Sequence, residues 1–174
     1  MSYSVVLVDD HILIAKAIAG VVEKFHNYHV LYEAEHGKAL IEQFKQPKNI
    51  PDIVLLDITM PVMDGFKTAK WLKTHHPDVL ILALSMQDDD LSLIKMIKAG
   101  ANGYLLKNIQ PAELQKALNE LTGKGSYFPE WAASKVAAGS FRFTLAGQMA
   151  TSASPTNSTI SPRQSSIIST IVPK

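Results

Sequence analysis

Five short apolar runs punctuate the first two thirds of the chain, and longer amphipathic stretches separate them. The runs fall at residues 5–8, 29–34, 53–56, 79–84 and 103–106. Between the runs, apolar residues recur every three or four positions, which is the spacing of a helix that buries one face. Strands that alternate with helices favour βαβ units and a parallel sheet. The pattern predicts an α/β fold, a doubly wound five-stranded parallel sheet with helices on both faces, and leaves two strand orders open.

Capping and breaking residues set the predicted helix boundaries. Asp88–Asp90 provide acids for the first turn of one helix, and Gly100 is placed to end it. Pro111 is placed to begin the next helix. The five helices are expected at residues 11–25, 38–45, 66–76, 88–99 and 111–122.

The pattern weakens after Gly125. The first 124 residues are therefore expected to form one domain, followed by 125–146 with one further helix over 129–138, a flexible linker at 147–160, and a last segment at 161–174. That last segment has the form of a helix start, with Ser161 as the N-cap and Pro162 at the first helical position.

Composition narrows the function classes. The chain has 174 residues, 47% of them hydrophobic, and a net charge of +1, so it lacks the basic surface that non-specific nucleic-acid binding requires. It contains no cysteine, which fits a reducing compartment, and the region after Met1 has no signal-peptide pattern. The longest apolar run is too short to span a bilayer. These features predict a soluble cytoplasmic protein without membrane contact.

Chemically capable side chains follow the apolar runs at their carboxyl ends. Asp9 and Asp10 follow the first run, Asp57 ends the third, Ser85 the fourth and Lys107 the fifth. Since the carboxyl ends of parallel strands lie along one edge of a sheet, these side chains can converge. Alone, each has an ordinary explanation as a capping or solvated loop residue, but one shared site accounts for all of them.

Three converging carboxylates repel one another unless a cation lies among them. Oxygen ligands favour a hard ion, and Mg²⁺ prefers a few carboxylates together with water and phosphate oxygens. A hydroxyl and an ammonium group opposite would hold the remaining oxygens of a phosphoryl group. The set therefore predicts Mg²⁺-dependent phosphoryl transfer onto Asp57 as the nucleophile.

Over residues 4–122 the sequence resembles the receiver domain of two-component response regulators. The resemblance rests on motifs that stand in the family's order: Val8-Asp9-Asp10-His11, the stretch from Leu56-Asp57-Ile58-Thr59 to Asp64-Gly65, Leu84-Ser85, and Gly103-Tyr104-Leu105-Leu106-Lys107. It implies the flavodoxin-like strand order 2-1-3-4-5 and makes residues 1–124 the receiver.

The resemblance also implies roles for individual residues. Asp57 would accept the phosphoryl group from a sensor histidine kinase or phosphotransfer protein. Asp9, Asp10, Asp57 and the backbone carbonyl of Thr59 would hold Mg²⁺. Ser85 and Lys107 would contact the phosphoryl oxygens, and Ser85 with Tyr104 would form the conformational switch, Tyr104 as its rotating aromatic. The protein would be a switch that dephosphorylates itself and not an enzyme acting on an external substrate.

A finer resemblance is to regulators with a LuxR-type helix-turn-helix output domain. It rests on His11 after the acidic pair, on Pro111-Ala112-Glu113-Leu114 after the lysine, and on Ser161-Pro162-Arg163, which is similar to the opening of that output domain. Residues 161–174 would be the remnant of its first helix, so DNA binding and transcriptional control would need an output domain that is not complete in this chain. Phosphorylation would favour a homodimer. One departure is Asn108, where many receivers have proline.

Three other classes of protein fit the sequence less well. A phosphatase with an aspartyl-phosphate intermediate would have a second Asp two residues after the nucleophile, where this chain has Thr59. A nucleotide- or flavin-binding module would need glycines after the first strand, where Asp9-Asp10-His11 stand. A docking domain that is never phosphorylated would not need the intact set of polar residues. The six histidines, His11 included, show no ligand spacing and are expected to be surface or packing residues.

Overall fold

The computed structural model describes residues 2–86 and 88–138, and the side chains of this part except those of 135–138. The strands in it are β1 (Tyr3–Val8), β2 (Tyr28–Ala34), β3 (Ile53–Asp57), β4 (Leu80–Ser85) and β5 (Gly103–Leu106). The α-helices are α1 (Ile12–Val22), α2 (Gly37–Gln43), α3 (Gly65–His75), α4 (Asp90–Ala99), α5 (Pro111–Lys124) and α6 (Glu130–Ala138), with a 3₁₀ turn at Pro47–Asn49.

The five strands form one parallel sheet in the order β2-β1-β3-β4-β5. This confirms the predicted fold class and the flavodoxin-like strand order. The chain leaves the centre of the sheet in one direction after β1 and in the other after β3. The carboxyl ends of these two neighbouring strands therefore border the crevice where open α/β sheets bind their ligands.

Alternate residues of the central strand face two separate cores. All five residues of β3 are buried. Leu56 packs in a cluster with Leu72 of α3 and Met96 of α4. Leu55 packs in a second cluster with Val22 of α1 and Leu118 of α5. A strand covered by helices on both faces needs apolar side chains in both directions, which explains why its sequence is a continuous apolar run.

Local hydrogen bonds explain where several helices begin and end. The side chain of Asp64 caps α3 by accepting from the amide of Lys67 at 2.9 Å. Asp89 caps α4 in the same way, so that helix begins at Asp90 and not at Asp88. Gly100 has a φ of 105° and ends α4, as predicted.

The first helix is shorter than its apolar pattern predicted. It ends at Val22, and Phe25 follows in a turn although its side chain is still buried. The amide of Tyr28 donates to the carbonyl of Phe25, which brings the chain back into β2. Apolar spacing records burial and does not separate a last helical turn from the turn after it.

The chain beyond α5 packs back onto the sheet. Gly103 and Tyr127 form an isolated parallel β-bridge at the outer edge of β5. The amide of Tyr127 donates to the carbonyl of Asn102, and the amide of Tyr104 donates to the carbonyl of Tyr127, both at 3.1 Å. These bonds cover part of an edge that would otherwise present unpaired backbone groups.

Helix α6 follows this bridge and lies against α4. Its Ala132 is fully buried in the same core as Leu56. The division of the chain at residue 124 stays a prediction, and residues 147–160 and 161–174 lie outside the described part. Among the described residues, no peptide bond is cis, including the bond between Lys107 and Asn108, and no helix has the length and hydropathy needed to cross a bilayer.

Candidate functional site

The polar residues predicted at the strand ends lie along one edge of the sheet. Asp9 directly follows β1, Asp57 is the last residue of β3, and Lys107 directly follows β5. The strands are in register, with Asp57 opposite Leu84 and Ser85 opposite Leu106. The amide of Lys107 donates to the carbonyl of Ser85 at 2.8 Å, which extends the ladder by one residue and fixes where the lysine stands.

The ammonium group of Lys107 lies between two buried carboxylates. Its Nζ is 2.7 Å from Oδ2 of Asp9 and 3.0 Å from Oδ1 of Asp57, and none of the three side chains is more than 4% exposed. Both contacts are at ion-pair distance. The lysine therefore offsets repulsion between the two acids.

Burial dominates the electrostatics of Asp57. It raises the pKa of this carboxyl above the ordinary value, and the ammonium of Lys107 opposes the rise without cancelling it. The nearby charge of Asp9 adds to the rise. An ionised Asp57 is thus held in surroundings that favour an additional positive charge.

Several buried carboxylate oxygens accept no hydrogen bond within the described residues: Oδ2 of Asp57, Oδ2 of Asp9 and Oδ1 of Asp10. Oδ2 of Asp9 does lie 2.7 Å from the Lys107 ammonium, and Oδ1 of Asp10 lies 3.2 Å from Nδ1 of His11. Buried polar atoms in this state are uncommon and point to a missing ion or water. Asp9, Asp10 and Asp57 each offer an oxygen within a group of ligand atoms no more than 4.8 Å apart. The donor set fits Mg²⁺, the ion predicted from the sequence.

His11 lies beside this cluster, and its side chain is 56% exposed, as expected of a surface residue. Its Nδ1 lies 3.2 Å from Oδ1 of Asp9 and 3.2 Å from Oδ1 of Asp10. Its amide also donates to Oδ1 of Asp9 at 2.9 Å. A metal-ligand spacing along the chain could not have placed His11 beside these carboxylates, because Asp57 lies on another strand. The sequence feature that could have indicated it is the position of His11 directly after the acidic pair.

Ser85 and Tyr104 are joined to each other behind the acidic cluster. The Ser85 side chain hydrogen-bonds the hydroxyl of Tyr104, and both residues are buried. Burial raises the pKa of Tyr104, and the bond to Ser85 opposes this. Trp131 of α6 meets the Tyr104 ring edge-on. The two residues predicted to form the switch are therefore in contact.

The loop after β3 is held close to the strand. The amide of Gly65 donates to the carbonyl of Ile58 at 2.9 Å. A Cβ at position 65 would lie 2.3 Å from the carbonyl oxygen of Asp57, so only glycine fits there without movement. Thr59 lies at the start of this loop with its side chain exposed. The role of its carbonyl as a metal ligand stays a prediction.

A family model described as the response regulator receiver domain matches residues 5–119. The chain belongs to this receiver family. DegU of Brevibacillus brevis, a transcriptional regulatory protein, is 32% identical over 123 residues, which are 71% of this chain and 51% of DegU. The receiver chain thus spans about half the length of this curated relative.

Solved structures of similar receivers agree with the sheet order. A two-component response regulator of the LuxR family from Aurantimonas is 27% identical, with a TM-score of 0.69 over 79% of this chain and 96% of that one. The isolated REC domain of RcsB from Salmonella enterica, solved with the phosphomimetic BeF₃⁻, is 28% identical, with a TM-score of 0.69 over 78% and 99%. A structure of two RcsB dimers bound to two parallel DNAs is likewise 28% identical, with a TM-score of 0.69 over 78% and 68%.

Proposed function

We propose that this receiver takes a phosphoryl group onto Asp57 from a sensor histidine kinase or phosphotransfer protein. The observation that carries the proposal is the state of the Asp57 carboxylate. One of its oxygens lies 3.0 Å from the Lys107 ammonium, and the other is buried without a hydrogen-bond partner among the described residues. The second oxygen is free to act as a nucleophile while the first is held.

In the proposed reaction the free oxygen of Asp57 attacks the phosphorus of a phosphohistidine. A P–O bond forms as the P–N bond breaks, and the leaving imidazole keeps the electron pair of that bond. Lys107, whose Nζ lies 3.0 Å from Oδ1 of Asp57, would contact an oxygen of the transferred group. The Asp9 and Asp10 carboxylates would hold Mg²⁺ with Asp57, and bound Mg²⁺ would supply the positive charge that offsets the charge of the phosphoryl oxygens.

The proposed switch begins at Ser85. A new phosphoryl group on Asp57 offers its hydroxyl a charged acceptor, in competition with the phenol of Tyr104. Tyr104 then repacks against its neighbours, which include Trp131. The charge of the phosphoryl group on Asp57 would in this way shift the face formed by α4, β5 and α6 between two conformations.

The expected partners follow from the proposed phosphoryl transfer. A two-component kinase makes the cytoplasm the expected compartment. By analogy with the RcsB dimers on DNA, phosphorylation would favour a homodimer, and an output domain of the LuxR type would contact DNA to control transcription. The aspartyl phosphate would be lost by slow self-catalysed hydrolysis, so the protein would not turn over an external substrate.

Intact-mass spectrometry tests the proposal. The full chain is incubated with acetyl phosphate, with and without Mg²⁺, alongside Asp57→Asn. Asp78→Asn is a matched control because Asp78 is exposed and lies before β4, at the opposite end of the sheet. We expect one phosphoryl group on the wild type and on Asp78→Asn with Mg²⁺, and none on Asp57→Asn. Equal labelling of Asp57→Asn would overturn the assignment of the nucleophile.

A further inference from the structure

We infer that His11 is a fourth side-chain ligand of the metal site, and that it lets this receiver bind borderline ions such as Ni²⁺, Co²⁺ and Zn²⁺ through a nitrogen. The inference rests on the proposed metal site and deepens it. Its starting observation is that a ring nitrogen of His11 lies in one group of ligand atoms with oxygens of Asp9, Asp10 and Asp57, no two of them more than 4.8 Å apart.

The distances suit ligands of a single ion. Two ligands at right angles, each about 2.1 Å from a first-row metal ion, lie about 3 Å from each other. Nδ1 of His11 lies 3.2 Å from Oδ1 of Asp9, to which it can donate a hydrogen bond that a metal ion would replace, and 3.2 Å from Oδ1 of Asp10. One nitrogen therefore stands at about the separation of neighbouring ligands from two carboxylate oxygens at once.

Buried oxygens in the same cluster point to a cation. Oδ1 of Asp10 and Oδ2 of Asp57 are inaccessible to solvent and lack hydrogen-bond partners within the described chain. The Asp57 side chain is only 4% exposed. An ion bound among these atoms would satisfy both oxygens and would lie beside the imidazole.

The backbone holds His11 in place. Its carbonyl accepts from the amides of Ile14 and Ala15, the first bonds of α1, and its own amide donates to Asp9. Its side chain does not cap the helix and is 56% exposed, so the imidazole keeps access to ions from solvent. The local fold thus fixes the Cα of His11 beside the carboxylates.

The chemistry of the ligand atoms decides which ions would bind through His11. Carboxylate, carbonyl and water oxygens suit Mg²⁺, whereas imidazole nitrogen suits the later first-row ions. Mg²⁺ dehydrates reluctantly and can keep a water where the imidazole stands. Loss of the imidazole should therefore weaken the binding of Ni²⁺ far more than that of Mg²⁺.

Calorimetric titration of the untagged full chain with Mg²⁺ and with Ni²⁺ tests this inference. The variants are His11→Gln and, as a matched control, the exposed His26→Gln, which lies between α1 and β2. Ni²⁺ binding that His11→Gln loses and His26→Gln keeps is assigned to this site, which separates it from binding to other surface histidines. We expect His11→Gln to weaken Ni²⁺ binding at least about tenfold and to change Mg²⁺ binding less than about twofold, with His26→Gln unchanged.

The other outcomes are distinct. Equal losses for both ions in His11→Gln would mean that His11 only positions the carboxylates, and no loss for either would make it a bystander. Both results overturn the inference. Circular dichroism of His11→Gln checks that the fold is intact. A wild type that binds Ni²⁺ through His11 but not Mg²⁺ would support the nitrogen ligand and contradict the Mg²⁺ part of the proposed function. A wild type that binds neither ion would overturn both.

Discussion

The ring of Trp131 meets the ring of Tyr104 edge-on, with 5.8 Å between centroids and 84° between planes. Tyr104 is fully buried and hydrogen-bonded to Ser85, and Trp131 lies on the helix that leads toward the C-terminal segment. A line of direct contacts therefore joins the strand end beside Asp57 to α6. A change in the position of Ser85 can therefore be transmitted to α6 through the side chains of Tyr104 and Trp131.

The first prediction uses this contact as a reporter. Trp71 and Trp131 are the two tryptophans of the chain, so Trp71→Phe leaves Trp131 as the single indole. We expect acetyl phosphate with Mg²⁺ to change the emission of Trp131, because repacking of Tyr104 alters the surroundings of the indole. The change should vanish when Asp57→Asn is added. Unchanged emission in a sample that mass spectrometry shows to be phosphorylated would mean that the contact does not report the switch.

The second prediction concerns the stability of the variant Asp57→Asn without Mg²⁺. Burial raises the pKa of Asp57, so its ionised form is less favourable in the folded than in the unfolded chain. The amide keeps the shape and carries no charge. We expect Asp57→Asn to have a higher melting temperature than the wild type at neutral pH.

The sign of its pH dependence is fixed by the direction of the pKa shift. A raised folded-state pKa destabilises the wild type once pH exceeds that pKa, and the effect disappears as pH falls toward the ordinary carboxyl value of 3.8. Thermal melts of both proteins between acid and neutral pH should show the advantage of Asp57→Asn shrinking toward acid. An advantage that grows toward acid would contradict the raised pKa.

The third prediction compares two lysines in ion pairs of equal length. Nζ of Lys107 is 2.7 Å from a buried carboxylate oxygen of Asp9, and Nζ of Lys45 is 2.7 Å from an exposed one of Glu42. Lys107→Met would leave two buried carboxylates facing each other and should cost about 3–5 kcal/mol in urea unfolding. Lys45→Met should cost less than about 1 kcal/mol.

Mg²⁺ should separate the two variants further. A bound cation would replace part of the charge that Lys107→Met removes, so Mg²⁺ should stabilise this variant more than the wild type. It should have no such effect on Lys45→Met. Equal costs for the two substitutions, or no added Mg²⁺ response in Lys107→Met, would mean that Lys107 does not offset the charge of the acids.

The sequence predicts a site residue where its position depends on its own strand, and it does not where the position depends on contacts with distant residues. Asp57, Ser85 and Lys107 could be placed on one edge because each ends an apolar run, and parallel strands align such ends whatever the loops do. The order of the strands in the sheet could not be predicted from local sequence pattern alone. It depends on contacts between strands, which place β1 between β2 and β3.

The features that local pattern missed depend on distant contacts. His11 becomes a neighbour of Asp57 only when β1 and β3 pair. The bridge of Tyr127 to Gly103 and the burial of Ala132 depend on β5 having a free edge, which no spacing within residues 125–138 records. For the same reason, the local pattern marks Trp131 only as an apolar position on a helix face.

The last prediction concerns Gly65, at the start of α3 beside Asp57. A Cβ there would lie 2.3 Å from the Asp57 carbonyl oxygen and 2.8 Å from the Ile58 Cα, and backbone atoms cannot turn aside as a side chain can. Gly65→Ala must therefore push the loop from the strand, which should cost about 1–3 kcal/mol and slow phosphorylation of Asp57. Gly20→Ala is the matched control, because the same methyl group would meet no atom within 4 Å inside α1. It should stabilise the chain by about 0.5–1 kcal/mol through helix propensity. Urea unfolding with acetyl phosphate labelling measures both effects, and a shift of the two variants in the same direction would show that close approach does not constrain position 65.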